Sequence, residues 1–147
     1  MKLLNLKIIT PEELVGEEQV EGVTIPTTNG EITILPDHIP LIASLASGDI
    51  VAHKNNEDIP YAVVGGFAEI KKDEKGNTIV AILADFAEHV SSLTDDEINK
   101  SLEKAEELKK QRDNNEVVDF EHFATELERQ LTRVKIADKW RTKKYRK

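Results

Sequence analysis

The chain has 147 residues, of which 33% are charged and 39% apolar, with a net charge of −8 and no cysteine. That length fits one compact domain, or one domain with a small appendage, and the missing thiols exclude disulfide frameworks, cysteine nucleophiles and cysteine-held zinc. No run of about 18 apolar residues is present and the opening Met1-Lys2-Leu3-Leu4-Asn5-Leu6-Lys7 lacks the features of a signal peptide, so a cytoplasmic setting is expected.

Leu4-Asn5-Leu6-Lys7-Ile8 alternates with period two, which predicts a strand with one buried and one wet face. Val20 to Ile25 and Glu31 to Leu35 repeat the pattern on either side of a Pro26 to Gly30 turn cluster. Ile50 to His53 and Tyr61 to Val64 flank a polar connection and predict a hairpin. Phe67 to Ile70 and Thr78 to Leu83 predict another, with Gly76-Asn77 supplying permissive backbone in its turn. Gly65-Gly66 interrupts a strand-like run, the mark of a bulge or a close backbone approach. Short strands at this spacing predict an antiparallel sandwich or barrel.

After Asp85 the period becomes helical. Thr94-Asp95-Asp96-Glu97 reads as a capping box, with Glu97 reaching back and Leu93 and Ile98 as the apolar staple. Ile98, Leu102, Ala105 and Leu108 form one stripe, and Asp113-Asn114-Asn115 ends the helix. Asp119 is expected to cap a second helix, with Val118 and Phe123 as its staple and a stripe of Phe123, Leu127, Leu131 and Val134, continued by Ile136 and Trp140. Narrow stripes on helices of this length predict that the two pack as an antiparallel hairpin. The expected division is a sheet domain over residues 1–86 and a helical hairpin over residues 87–147.

Charge is unevenly placed. From Arg129 to Lys147 nine basic residues stand against the single acid Asp138, a local charge of +8 that leaves −16 on the rest. A basic end on an acidic body points to an anionic partner, and an inert solvated tail is the plain alternative. Catalytic signals are sparse. There is no G-x-x-x-x-G-K-[ST] phosphate loop, and His38, His53, His89 and His122 fall on different predicted elements. Asp85, Glu88 and His89 are near neighbours that suit a metal or an acid–base group, but read more simply as polar residues of the sheet-to-helix connection. No metal or cofactor is expected. His38 lies between Pro36 and Pro40, which restrict the backbone of its loop.

Several stretches together carry a family pattern: Ile9-Thr10-Pro11-Glu12, Gly30-Glu31-Ile32-Thr33-Ile34-Leu35-Pro36-Asp37-His38-Ile39-Pro40-Leu41-Ile42, Gly48-Asp49-Ile50, Val64-Gly65-Gly66-Phe67-Ala68-Glu69-Ile70 and Ile82-Leu83-Ala84-Asp85-Phe86-Ala87-Glu88. In order and spacing they resemble the epsilon subunit of bacterial F-type ATP synthases. The resemblance implies an α+β fold, an N-terminal antiparallel β-sandwich followed by a C-terminal antiparallel two-helix hairpin. It implies a non-catalytic rotor part of the central stalk, bound to the gamma subunit and to the ring of c subunits, with Glu31 and His38 facing that ring. The implied location is the cytoplasmic face of the bacterial cell membrane, peripheral, through the complex alone.

The resemblance also implies a brake. The helices would extend so that Arg129, Arg133, Lys135, Lys139 and Arg141 meet an acidic segment of a β subunit and stop ATP hydrolysis. Some members bind ATP between the helices through an Asp-x-x-Arg pattern on the first and arginines on the second. Arg129 and Arg133 match the latter, but the first-helix arginine position is Glu97 (Ile98 if shifted by one), an acid where phosphate needs a cation, so no nucleotide site is expected. Two other readings are a nucleic-acid module gripping through the basic tail, which the acidic sheet half and scattered aromatics disfavour, and a small enzyme built on Asp85, Glu88 and His89.

Overall fold

The structure, a computed structural model, describes residues 2–114 and 120–145. The expected caps and staple at Asn115, Val118 and Asp119, and the tail cations Arg146 and Lys147, lie outside the described residues. The chain divides into two compact units, residues 1–89 and 90–147.

The first unit contains ten strands: β1 (Leu4–Ile9), β2 (Leu14–Val20), β3 (Gly22–Thr27), β4 (Gly30–Ile34), β5 (Leu41–Ser44), β6 (Gly48–Lys54), β7 (Glu57–Val64), β8 (Phe67–Lys72), β9 (Thr78–Leu83) and β10 (Phe86–His89). They form two five-stranded sheets, ordered β2-β1-β9-β8-β5 and β10-β7-β6-β3-β4. This is the expected β-sandwich, with one departure: β1 and β9 run parallel. No hairpin joins those two strands, so no turn dictates their direction.

Alternation sets the interior. Leu4, Leu6 and Ile8 of β1, Ile70 of β8, and Val80 and Ile82 of β9 face Val23 and Ile25 of β3, Ile34 of β4, Ile50 of β6 and Val63 of β7 in one buried cluster. Each such side chain contributes about 1.5–3 kcal/mol relative to exposure, enough to hold the unit without disulfides. The two expected hairpins are present. Asn55 and Asn56, at φ 52° and 62°, make the two-residue turn between β6 and β7, the mirror-image turn that strand twist favours. Between β8 and β9, Asp73 accepts hydrogen bonds from the main-chain N–H groups of Lys75 and Asn77, both at 2.9 Å.

Three strands were not expected. β2 is an edge strand with a bulge opposite Ile8/Ile9, which scrambles its alternation. β5 has only four residues, and β10 falls where a connection was expected, so residues 87–89 belong to the sheet. The single strand expected from Val20 to Ile25 is broken at Glu21, where the chain passes from one sheet to the other and its N–H donates to the His53 carbonyl at 2.8 Å. Gly65-Gly66 is another such crossing, from β7 to β8. Both glycines have positive φ, and a Cβ on Gly66 would lie 2.0 Å from the Leu83 carbonyl oxygen.

The second unit has a short 3-10 turn at Val90–Ser92, then α1 (Asp95–Asp113) and α2 (Phe120–Tyr145). Thr94 caps α1, accepting from the Glu97 N–H at 3.3 Å. The reciprocal half of the capping box is not made: the Thr94 N–H donates to the Ser92 carbonyl, and the Glu97 side chain goes to Arg133. Of the expected stripes, Ala105, Phe123 and Ile136 are buried and Ile98, Leu108, Leu127, Val134 and Trp140 are half-buried, but Leu102 and Leu131 are exposed, and Ser101, Gln130, Thr132 and Ala137 are buried in addition. Small residues at 101 and 105 suit a close approach to the facing helix.

Replacing Gly66 by alanine is expected to cost the sandwich about 4 kcal/mol, because the new methyl meets backbone. Gly76, at φ 81° with nothing within 4 Å of the position a Cβ would take, should lose only the backbone preference of about 1–2 kcal/mol on the same change. Urea unfolding of the two variants side by side measures the difference.

Candidate functional site

The loop between β4 and β5 carries the first candidate surface. Asp37 adopts a left-handed φ of 70°, and three anchors hold it there. Its N–H donates to the buried Thr78 hydroxyl at 2.7 Å, and its carboxylate meets Lys2 Nζ at 2.5 Å and Lys72 Nζ at 3.4 Å. The hydrogen bond from Lys2 is the main cause that holds the exposed Asp37 carboxyl below its ordinary pKa, assisted by Lys72. Nδ1 of His38 donates to the Ile39 carbonyl at 2.7 Å, since a carbonyl can only accept. Thus pinned, the loop leaves Ile39 74% and Ile42 73% exposed, with Leu35 also outside. Glu31 is exposed on β4 beside the 28–29 turn, opposite Pro26, whereas His38 lies beyond the other end of that strand. The two expected contact residues therefore occupy opposite ends of β4.

The outer face of the first sheet carries the second surface. Ladder pairing lines up Ser44, Phe67, Leu83, Ile9 and Leu14 across five strands, and Phe67, Leu83 and Leu14 are exposed. The next outward row is Ile42, Glu69, Ala81, Lys7 and Glu17, with a Lys7–Glu17 ion pair at 3.8 Å. An apolar row bordered by charge is the surface pattern of a docking site.

The third candidate surface is on the helices. Arg133 donates to Ser101 Oγ at 2.9 Å and pairs with Glu97 at 3.1 Å, its side chain only 15% exposed. Arg141 pairs with Asp95, and Arg129 lies 3.9 Å from Glu126 on its own helix. Glu126 also accepts from Gln130 at 2.8 Å and meets Lys104 of α1 at 3.3 Å. Lys135 and Lys139, on another face of α2, are exposed, and Lys139 Nζ sits 5.9 Å from the centre of the Trp140 ring. The structure thus separates the five expected regulatory cations. Arg129, Arg133 and Arg141 engage acids, and the exposed Lys139 stands beside Trp140.

Groups that suggest chemistry resolve into structural ones. Glu88 and His89 are successive residues of β10, so they point to opposite faces, and Asp85 is exposed in the preceding turn. Among the described residues no cluster of three or more His, Asp or Glu side chains is placed to hold a metal. His53 makes a relay, Nδ1 to Asp58 at 2.8 Å and Nε2 to the Thr24 hydroxyl at 2.9 Å, continued by Thr33 at 2.9 Å. A nucleophile also needs converging donors for the developing oxyanion, whereas Thr24 is paired across the sheet on both sides. The relay ties β7, β6, β3 and β4 in register.

Residues 3–90 match the family described as ATP synthase, Delta/Epsilon chain, beta-sandwich domain. The ATP synthase epsilon chain of Nitratidesulfovibrio vulgaris (strain DP4) is 35% identical over 135 residues, covering 92% of this chain and 96% of that one. The chain belongs to the ATP synthase epsilon-chain family. The epsilon chain of Halalkalibacterium halodurans is 34% identical over 137 residues, 93% of this chain and 98% of the relative. In solved structures, a chain of the Euglena gracilis mitochondrial ATP synthase (OSCP/F1/c-ring, rotational state 1) superposes with a TM-score of 0.60 at 21% identity. It covers 99% of this chain and 83% of that one, and shows the shared fold. As an epsilon chain this is a non-catalytic subunit of ATP synthase.

Residue order in the epsilon chain points to the loop and the cations but not to the exposed row, because Phe67 and Leu83 look like core residues until register is known. It does not reveal the partner of Glu97 either. For Glu126, burial opposes its charge, but bonds from Gln130 and Lys104 prevail and hold its pKa below the ordinary 4.5. Its stabilising effect is therefore complete above pH 4.5 and is lost as pH falls through the lower folded value. The epsilon-chain helices should melt at lower temperature near pH 3 than at pH 7, with a smaller drop in Glu126→Gln, as followed by far-UV circular dichroism.

Proposed function

We propose that this chain is a rotor subunit of the central stalk of a proton-translocating ATP synthase. It couples rotation of the c ring to the catalytic head through the gamma subunit. The observation that carries this reading is the exposed apolar surface on a sandwich that already has a complete core of its own. Leu35, Ile39 and Ile42 project around the pinned loop, and Phe67, Leu83 and Leu14 share one outer row. Burying such side chains at an interface contributes on the scale of core burial, which suits permanent attachment to a shaft. In this reading Glu31 and His38 face the polar loops of the c ring, and the apolar row takes the gamma subunit.

The helical unit is the regulatory part. Extended, α2 is about 39 Å long at 1.5 Å per residue, enough to reach into a neighbouring assembly. There Arg129, Arg133, Lys135, Lys139 and Arg141 meet an acidic segment of a β subunit and inhibit ATP hydrolysis. Several charges must act as a network, because single exposed pairs contribute little. The chain binds no nucleotide between its helices, since Glu97 already faces Arg133. Among the described residues no helix is long and apolar enough to cross a membrane. The chain is held at the cytoplasmic face of the bacterial cell membrane by its partners, and nucleic acid has no part in its function.

A pull-down with the tagged chain should retain the gamma subunit, and a Phe67→Glu, Leu83→Glu variant should bind it at least tenfold more weakly, about 1.4 kcal/mol. Retention of full affinity by a folded double variant would remove the docking assignment. Deleting residues 92–147 should leave a folded sandwich that still couples, while raising ATP hydrolysis by the assembled enzyme. Millimolar Mg-ATP should leave the melting temperature of the isolated chain unchanged.

A further inference from the structure

The interior of the helical unit mixes apolar and polar side chains. Ser101, Gln130 and Thr132 are buried alongside Leu93, Ala105, Phe123, Ile136 and Ala137, while Leu102 and Leu131 are exposed. Across this seam the acidic first turn of α1 faces cations of α2. Glu97 and Ser101 hold Arg133, Asp95 holds Arg141, and further along α1 Lys104 meets Glu126. The Arg133 pair is the best shielded of these, with the guanidinium mostly out of solvent and gripped by two partners. Removing one member of such a pair leaves an uncompensated charge at the seam, which costs far more than an exposed pair contributes.

We propose that Glu97, Ser101 and Arg133 form an ionic latch that closes the helical hairpin without any bound ligand, with Asp95–Arg141 as its outer clasp. The latch neutralises two of the arginines that a released hairpin would offer to an acidic protein surface, so closing the hairpin and withholding its cations are one event. That second consequence rests on the regulatory reading above, whereas the latch itself does not. The pairing is specific in register: Asp96 lies in the same turn, is equally acidic and exposed, and stands outside it.

The chain has no cysteine, so Leu102→Cys and Leu131→Cys, both at exposed positions, accept a pair of spin labels cleanly. The full chain should show a short inter-label distance by pulsed electron spin resonance in buffer without nucleotide. Glu97→Gln should raise the separated population at least fivefold, Asp96→Asn less than twofold, and Glu97→Gln combined with Arg133→Gln no more than Arg133→Gln alone, because Arg133→Gln already removes the Glu97 contact. An unchanged distribution in Glu97→Gln, equal opening by Asp96→Asn, or multiplicative effects in the double variant would each overturn the latch. Circular dichroism monitors helix content, and if Glu97→Gln loses helix, Arg133→Gln and Arg141→Gln carry the same test from the other strand of the clasp. In the assembled enzyme Glu97→Gln should lower ATP hydrolysis. Opening of the hairpin with unchanged hydrolysis would overturn the regulatory reading and leave the latch standing.

Discussion

Two sheets sharing one apolar interior oblige the chain to step from one to the other without disturbing the rows of side chains between them. It does so between β2 and β3, β4 and β5, β5 and β6, β7 and β8, and β9 and β10. The step at Gly65-Gly66 leaves no space for a side chain, because the backbone there presses on Leu83 and Ala84. That contact fixes where β8 begins, and with it the parity of every residue along the strand. Ala68 and Ile70 turn inward and Phe67 turns out, beside Leu83. The apolar outer row is thus a by-product of a backbone crossing, and the loop of residues 35–40 is the same kind of crossing drawn out and pinned by Asp37.

The two units differ in what stabilises them. Burial of branched aliphatic side chains dominates residues 1–89. The helices combine a smaller buried set, Ala105, Phe123, Ile136 and Ala137, with ion pairs that range from partly buried at Arg133 to exposed at Asp95. One unit with a complete apolar core and one with a mixed seam are the material for the fixed and the conditional task proposed above.

Much of this was legible from residue order alone. Alternation placed β1, β4, β6, β8 and β9, the Asn55-Asn56 and Asp73 turns sit where strands demanded them, and Thr94 announced α1. The strands that residue order does not show, β2, β5 and β10, are three of the four sheet edges, where a bulge or brevity erases the pattern, whereas the fourth edge, β4, keeps its alternation. Hydrophobicity places Ala105, Phe123 and Ile136 in the interior correctly, but it also selects Leu102 and Leu131, which are exposed, and misses the buried polar Ser101, Gln130 and Thr132. Glu97 looked like a capping residue because local spacing favours that role, and only the position of α2 reveals the stronger partner. Long-range pairing of charges leaves no signature in a single sequence.

The parallel pairing of β1 with β9 has a consequence for how the protein comes into being. Asn5 lies alongside Ile79, 74 positions later, so the middle of the first sheet stays unfinished until β9 has left the ribosome. Until then β1 exposes an unpaired edge and an apolar face, held only by its hairpin with β2. Contacts at such long range make for slow closure and a window in which the nascent chain is open to aggregation or to chaperones. The helices follow during synthesis, so the sandwich has its final strand before the arginines of the hairpin emerge.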